Sequence, residues 1–224
     1  MSAELPAMVR ASPGGSWLRF LWWHMVRFPF WVAFKLFYFL SVSRRDLLPR
    51  EGPTLIVANH ESFLDPVIIG LSTGLRPMHS LARSTLYHNF FFGWMIRSVN
   101  AIPVERGTAD IGSMRRCIEV LQQGKLLALF PEGTRSETGD IAPFKPGVLL
   151  LIKRAKPKVV PMAITGSLRA WPKGKKIPRL FKRVRAKFGE PIDADKLLAM
   201  GNDGALEHLR MTIVKLKEEM EGRS

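Results

Sequence analysis

The chain has 224 residues, 46% of them hydrophobic, which suits one domain with a full core and excludes a disordered polymer. Its single cysteine excludes an intrachain disulfide and a cysteine-rich metal site, and gives no sign of an oxidising compartment. The net charge of +15 is concentrated: Lys153–Gly189 carries 13 Lys or Arg and no acid, whereas Glu190 to the C-terminus nets −3, and such a block attracts phosphate on lipid, nucleotide or nucleic acid without choosing among them.

Residues 1–15, with Pro6, Pro13, Gly14 and Gly15, read as a flexible tail. Residues 16–43 read as a membrane-interface helical segment. They hold Trp17, Trp22, Trp23, Trp31, Tyr38 and six phenylalanines. A signal peptide would be shorter, less aromatic and end in small residues. Arg27, Lys35 and Pro29 break the apolar run too often for a spanning helix. On a helical projection His24, Arg27 and Lys35 fall within about 80° of one another, a polar strip on a Trp/Phe-rich helix. That composition suits the membrane interface, with Pro29 dividing the segment into a pair of short helices. The alternative is a buried helix pair.

Residues 44–224 read as one α/β domain. Strand-length apolar runs occur at Thr54–Ala58, Met78–Ala82, Ala101–Val104, Leu126–Phe130, Val159–Ile164 and Val184–Phe188. Helical patterns lie at Pro66–Ser72, Phe90–Val99, Ala109–Gln123 and Lys145–Arg154, with Gly124 closing the third as a C′ glycine. Cys117 falls on the apolar stripe of that third helix and reads as core. The alternation predicts a mixed, largely parallel sheet flanked by helices. A last helix near Ala205–Glu221 presents Leu206, Leu209, Ile213, Leu216 and Met220 on one docking face.

Chemistry gathers at the strand ends. Asn59-His60-Glu61-Ser62-Phe63-Leu64-Asp65-Pro66 follows the first long strand, and Pro66 favours a helix start. A turn there can return the Asp65 carboxylate to the His60 imidazole, fix its tautomer and leave the far nitrogen to take a proton from a hydroxyl. By itself the pair is weak, since a strand-end histidine is commonly structural. Ala101–Gly107 reads as a strand that ends in an arginine and a glycine, Arg106 and Gly107. Phe130-Pro131-Glu132-Gly133-Thr134-Arg135-Ser136 supplies a glycine that lets backbone amides approach an anion, two hydroxyls and an arginine fork. Glu132 beside an anion site reads as orienting a basic residue or receiving a substrate hydroxyl. In open α/β sheets ligands gather at the carboxyl ends of strands, so a parallel sheet would set a general base beside a phosphate clamp.

These segments together resemble the 1-acyl-glycerol-3-phosphate acyltransferase (lysophosphatidic acid acyltransferase) family over about residues 50–190. Asn59, His60 and Asp65 match its Asn-His-x4-Asp motif. Ile102–Arg106 matches its strand ending in arginine, although the usual glycine-and-aromatic lead-in is here Asn100-Ala101. Phe130–Ser136 matches its Phe-Pro-Glu-Gly-Thr-Arg-Ser motif in full, and Val160-Pro161 its apolar Val-Pro segment. Phe144-Lys145-Pro146-Gly147 also looks familial.

The resemblance implies a catalytic pair, His60 and Asp65. It implies phosphate contacts from Arg106, Arg135 and Arg83, and a site shaped by Glu132, Gly133 and Thr134. The co-substrate would be acyl-CoA or acyl-carrier protein, with no cofactor, no metal and no acyl-enzyme. The tetrahedral intermediate needs an oxyanion donor, which the sequence does not establish; a backbone N–H near Val160–Met162 is one candidate. The acceptor would be lysophosphatidic acid, the product phosphatidic acid, and the partner a lipid bilayer at the cytoplasmic face of the inner or plasma membrane; nucleic acid is not an expected partner. His24, His79, His88 and His208 read as structural. Another lysophospholipid or a lyso-ornithine lipid is an alternative acceptor. A non-catalytic module for anionic lipid or nucleic acid would explain the charge but leave His60, Asp65 and Phe130–Ser136 without a role.

Overall fold

Every residue of Thr54–Ala58 is buried, so this stretch has no solvent face and must lie inside a sheet covered on both sides. The computed structural model describes residues 17–87, 100–104 and 110–222. Its strands are β1 (Ser41–Ser43), β2 (Thr54–Ala58), β3 (Met78–Arg83), β4 (Ala101–Val104), β5 (Leu126–Leu129), β6 (Lys158–Thr165), β7 (Arg185–Phe188) and β8 (Ile192–Asp193). They form one sheet in the order β1-β7-β6-β2-β5-β3-β4, with β8 also on β6. The run from β6 to β4 is parallel; β7 and β8 turn antiparallel to β6. The expected mixed, largely parallel sheet is therefore the observed one.

The helices are α1 (Trp17–Tyr38), α2 (Asp65–Ser72), α3 (Ile111–Gln122), α4 (Gly147–Ala155), α5 (Ser167–Ala170), α6 (Ala194–Leu198) and α7 (Gly201–Glu221). Alternation along the strands sorts them into two layers. Ile56, Ala58, Val160, Met162 and Ile164 pack with α1 and α2 through Phe34, Tyr38, Ile68 and Ile69. Leu55, Val57, Val159 and Ala163 pack with α3, α4, α6 and α7 through Cys117, Leu121, Ile152, Leu197, Leu209 and Ile213. Each such leucine or isoleucine, fully buried, contributes about 1.5–3 kcal/mol. Burial, with Asp110 nearby, pushes the Cys117 thiol up to about 12, consistent with core rather than chemistry.

At the amino ends of the strands the buried Arg76 guanidinium donates to the carbonyls of Pro49 (2.6 Å), Gly52 and Gly124 (3.2 Å) and to Thr54 Oγ1 (2.9 Å). This end is closed by hydrogen bonds, which leaves the carboxyl ends for a site.

Two features of the N-terminal segment differ from expectation. The helix is continuous through Pro29 and is not a pair over Trp17–Tyr38. Pro29 lies on the exposed side, where a missing backbone bond costs least, while Trp23, Phe34 and Tyr38 anchor the helix on either side of it. His24 and Arg27 of the polar strip also face inward, whereas Lys35 is exposed and donates to the Leu40 carbonyl (2.7 Å). Arg27 Nη1 donates to the Leu71 carbonyl at the end of α2 (3.1 Å), and burial lowers the pKa values of Arg27 and His24. Leu18, Leu21, Met25, Phe28 and Leu36 face outward. Among the described residues no helix is long and apolar enough to cross a membrane.

Candidate active site

β2 ends at Ala58, and the chain must turn before Pro66 can occupy the first turn of α2. Asn59 fixes that turn to the neighbouring strand: its amide donates to the Ile164 carbonyl (3.0 Å) and accepts from the Ile164 amide (2.8 Å). Asp65 closes the turn from the other side. Its Oδ2 accepts from the backbone amides of Glu61 and Ser62, both at 2.7 Å, and lies 2.9 Å from His60 Nδ1. Asp65 is fully buried. A carboxylate oxygen held by two amides can only accept, so Nδ1 carries the proton and Nε2 holds the lone pair. The imidazole stacks on Phe130 at 4.1 Å and 16°, and its side chain is 15% exposed. A ring fixed by Asp65 and Phe130, with a basic Nε2, can accept a proton from a hydroxyl.

The loop after β5 supports this turn from below. Glu132 accepts from the His60 amide (2.8 Å) and the Ala142 amide (3.1 Å), and the Ser136 amide donates to the His60 carbonyl (2.7 Å). Burial raises the Glu132 pKa, and the two backbone amides partly offset it. Glu132 thus orients a basic residue, His60, through its backbone amide; both carboxylate oxygens hold backbone, and the residue is buried. It shapes the site by positioning His60.

Gly133 and Thr134 are exposed beside it, and the Arg135 guanidinium lies 3.5 Å over the ring of Phe63. Gly133 adopts φ +70°, and a Cβ there would stand 2.8 Å from Lys145 Nζ. The lysine therefore crosses the glycine and brings a second cation to the loop. The sequence offers no sign of this contact, because Gly133 and Lys145 meet only once the loop between them has folded back.

Arg83 is exposed at the end of β3, on the same sheet edge. Arg106 and His88 lie outside the described residues. The backbone of Val160–Met162 cannot serve as oxyanion donor: Val160 and Met162 are fully buried inside β6, flanked by β2 and β7. His79 is buried in β3, and burial, with Lys125, lowers its pKa to about 4.

One feature had no sequence signal. Lys217 of α7 pairs with Glu61 and donates to the Gly139 carbonyl. Glu61 also accepts from Asn59 Nδ2 (3.2 Å). Burial raises the Glu61 pKa to about 7 despite Lys217.

A family model described as Acyltransferase matches residues 40–165, the segment that runs from β1 to the end of β6 and holds the His60–Asp65 turn and the Phe130–Ser136 loop. The chain belongs to the acyltransferase family. Among its relatives is the 1-acyl-sn-glycerol-3-phosphate acyltransferase of Streptococcus pneumoniae, 32% identical over 71% of this chain and 58% of the relative. The chloroplastic enzyme LPAT1 of Arabidopsis thaliana is 27% identical over 77% of this chain and 49% of its own. The Bacillus subtilis enzyme of the same name is 28% identical over 68% and 73%. The chain thus spans about half the length of the first two relatives. The crystal structure of the acyltransferase PlsC from Thermotoga maritima superimposes with a TM-score of 0.75 at 23% identity, over 92% of this chain and 80% of that one, so the acyltransferase fold is shared.

Proposed function

We propose that this acyltransferase moves a fatty acyl group from a thioester, acyl-CoA or acyl-carrier protein, to the free hydroxyl of 1-acyl-glycerol-3-phosphate. The observation that carries the reading is the 2.9 Å contact of Asp65 Oδ2 with His60 Nδ1 beside a loop bearing Arg135 and Lys145. His60 Nε2 takes the hydroxyl proton, and the oxygen attacks the thioester carbonyl. The tetrahedral intermediate expels the thiolate, which receives the proton back from the imidazolium. Asp65 stabilises that imidazolium. Arg135, Arg83 and Lys145 hold the acceptor phosphate, joined by Arg106. The names of the relatives support a phosphate-bearing glycerolipid as acceptor. The outward apolar face of α1 lies at the membrane interface, which brings the site to its lipid acceptor.

The test is thioester release with purified protein, both donors and a panel of lysolipids. His60→Ala should keep its fold by circular dichroism and lose at least about 10²–10⁴-fold in kcat. A His60→Ala protein at the wild-type rate would refute the base, and activity confined to acceptors without phosphate would refute the substrate class.

A further inference from the structure

Pro172–Val184, the segment between α5 and β7, contains Lys173, Lys175, Lys176, Arg179, Lys182 and Arg183 and no acid. All six basic residues are exposed. Among the described residues only Lys173 of the six has an ion-pair partner, Glu137. Three large apolar side chains stand among these charges: Ile177, Leu180 and Phe181, with Ile177 78% and Phe181 65% exposed. Isolated exposed apolar residues need no explanation, but these continue a larger patch. Phe181 packs edge-on against Phe37 of α1 at 6.0 Å, and its amide donates to the Phe37 carbonyl (2.7 Å). Phe39, two residues along the chain from Phe37, is half exposed.

The base of the segment is rigid. The Val184 amide donates to the Tyr38 carbonyl (2.9 Å), the Ser41 amide to the Val184 carbonyl (3.1 Å), and the Arg179 amide to the Ala170 carbonyl (2.7 Å). Gly166 approaches so closely that a Cβ there would meet the Arg183 carbonyl oxygen at 2.1 Å. Phe39 and Phe181 have φ of +48° and +59°, a conformation that bulky residues rarely adopt. Folding holds these two residues, each at least half exposed, in that conformation at a conformational cost. The segment also reaches the site: Trp171, at its start, packs on Phe63 (5.5 Å), and its carbonyl accepts from Ser62 Oγ (2.9 Å).

We infer that Pro172–Val184 is a second lipid-docking element, specific for an anionic leaflet, with Ile177, Leu180 and Phe181 entering the interface and Lys175, Lys176, Arg179 and Lys182 meeting the headgroups. Aromatic and aliphatic tips ringed by lysine and arginine are complementary to such a surface and to no purely aqueous partner. The element extends the interfacial reading of α1, and is tested apart from it because every variant keeps α1.

Vesicle co-flotation of the full chain provides the test, comparing phosphatidylcholine with vesicles containing about 30% phosphatidylglycerol. Wild type should prefer the anionic vesicles and lose that preference between about 0.05 and 0.5 M salt. Each basic residue near the surface should contribute about fivefold, so Lys175→Gln/Lys176→Gln/Arg179→Gln should weaken anionic binding about a hundredfold and leave neutral vesicles unaffected. Ile177→Ser/Phe181→Ser should weaken both. Circular dichroism, and thioester release with a short-chain, monomeric acceptor, should match wild type in both variants. An anionic preference that survives the triple substitution overturns the inference. So does a triple variant that still floats normally but loses affinity for coenzyme A, because the segment would then serve a nucleotide phosphate. Neither outcome bears on His60.

Discussion

One oxygen of Asp65 serves three donors, the His60 ring and the amides of Glu61 and Ser62, and this makes the effect of Asp65→Asn specific. The two amides require an acceptor, so the asparagine must present its carbonyl oxygen to them, and the same oxygen still faces Nδ1. Turn and tautomer survive while the negative charge is lost. Asp65→Asn should therefore keep its fold and its acceptor KM, and lose about 10²–10³-fold in kcat because the imidazolium is no longer compensated. Steady-state kinetics check this, and an unchanged kcat would show that the charge is idle. Lys145 makes the contrasting prediction. If it holds phosphate, Lys145→Ala should raise the acceptor KM about tenfold and leave kcat nearly unchanged, since a charge-assisted hydrogen bond is lost from ground and transition state alike. The histidine, the aspartate and the arginine could be read from the chain because each sits in a short local motif. Lys145, Glu132's inward turn and the Asn59–Ile164 clamp could not, because each is a tertiary contact made after the strands are assembled.

The secondary elements show where local signal ends. β2, β5 and β6 coincide with apolar runs because these central strands are covered on both faces, whereas β7 alternates, with Ala186 and Phe188 buried and Arg185 and Lys187 half-buried. β1 and β8, only three and two residues long, carry no period of their own and exist through pairing with β7 and β6. The continuity of α1 through Pro29 is likewise tertiary. α7 was legible as an amphipathic helix, but its apolar face of Leu209, Ile213 and Leu216 does not announce the ion pair of Lys217, which sits at the edge of that face with its side chain 12% exposed. That lysine ties α7 to the turn after β2, through Glu61, and to the loop after β5, through Gly139. Lys217→Met should leave Glu61 buried without its cation. The loss should be about 2–3 kcal/mol, less than for an obligate charge, because the carboxyl can take a proton. Urea unfolding at neutral pH measures it. The rate should fall as well, since Asn59 and Glu61 flank His60; an unaltered melting midpoint would show that α7 does not hold the turn.

Across the whole molecule, buried acids and buried bases act on stability in opposite directions. Glu61 is raised from 4.5 to about 7, so its proton is bound more tightly in the fold: this contribution is complete below pH 4.5 and disappears as pH rises through about 7. Glu132 is raised as well, with the same sign. His79 is lowered from 6.5 to about 4, so the unfolded chain binds that proton more tightly: its contribution is complete above pH 6.5 and is lost as pH falls through about 4. His24, lowered by burial and by Arg27, adds to it. The exposed carboxylates Glu137, Asp193 and Glu207, lowered by Lys173, Lys158 and Arg210, are open to solvent and weigh little. Between pH 4.5 and 6.5 the Glu61 and His79 slopes therefore oppose, each bounded at about 1.4 kcal/mol per pH unit. Wild type should show a nearly flat unfolding free energy there. Glu61→Gln removes the falling slope, so its stability should climb with pH, while His79→Gln removes the rising slope and should fall. Guanidinium unfolding at intervals across that window tests both, and parallel profiles for the three proteins would mean that neither group titrates as its burial requires.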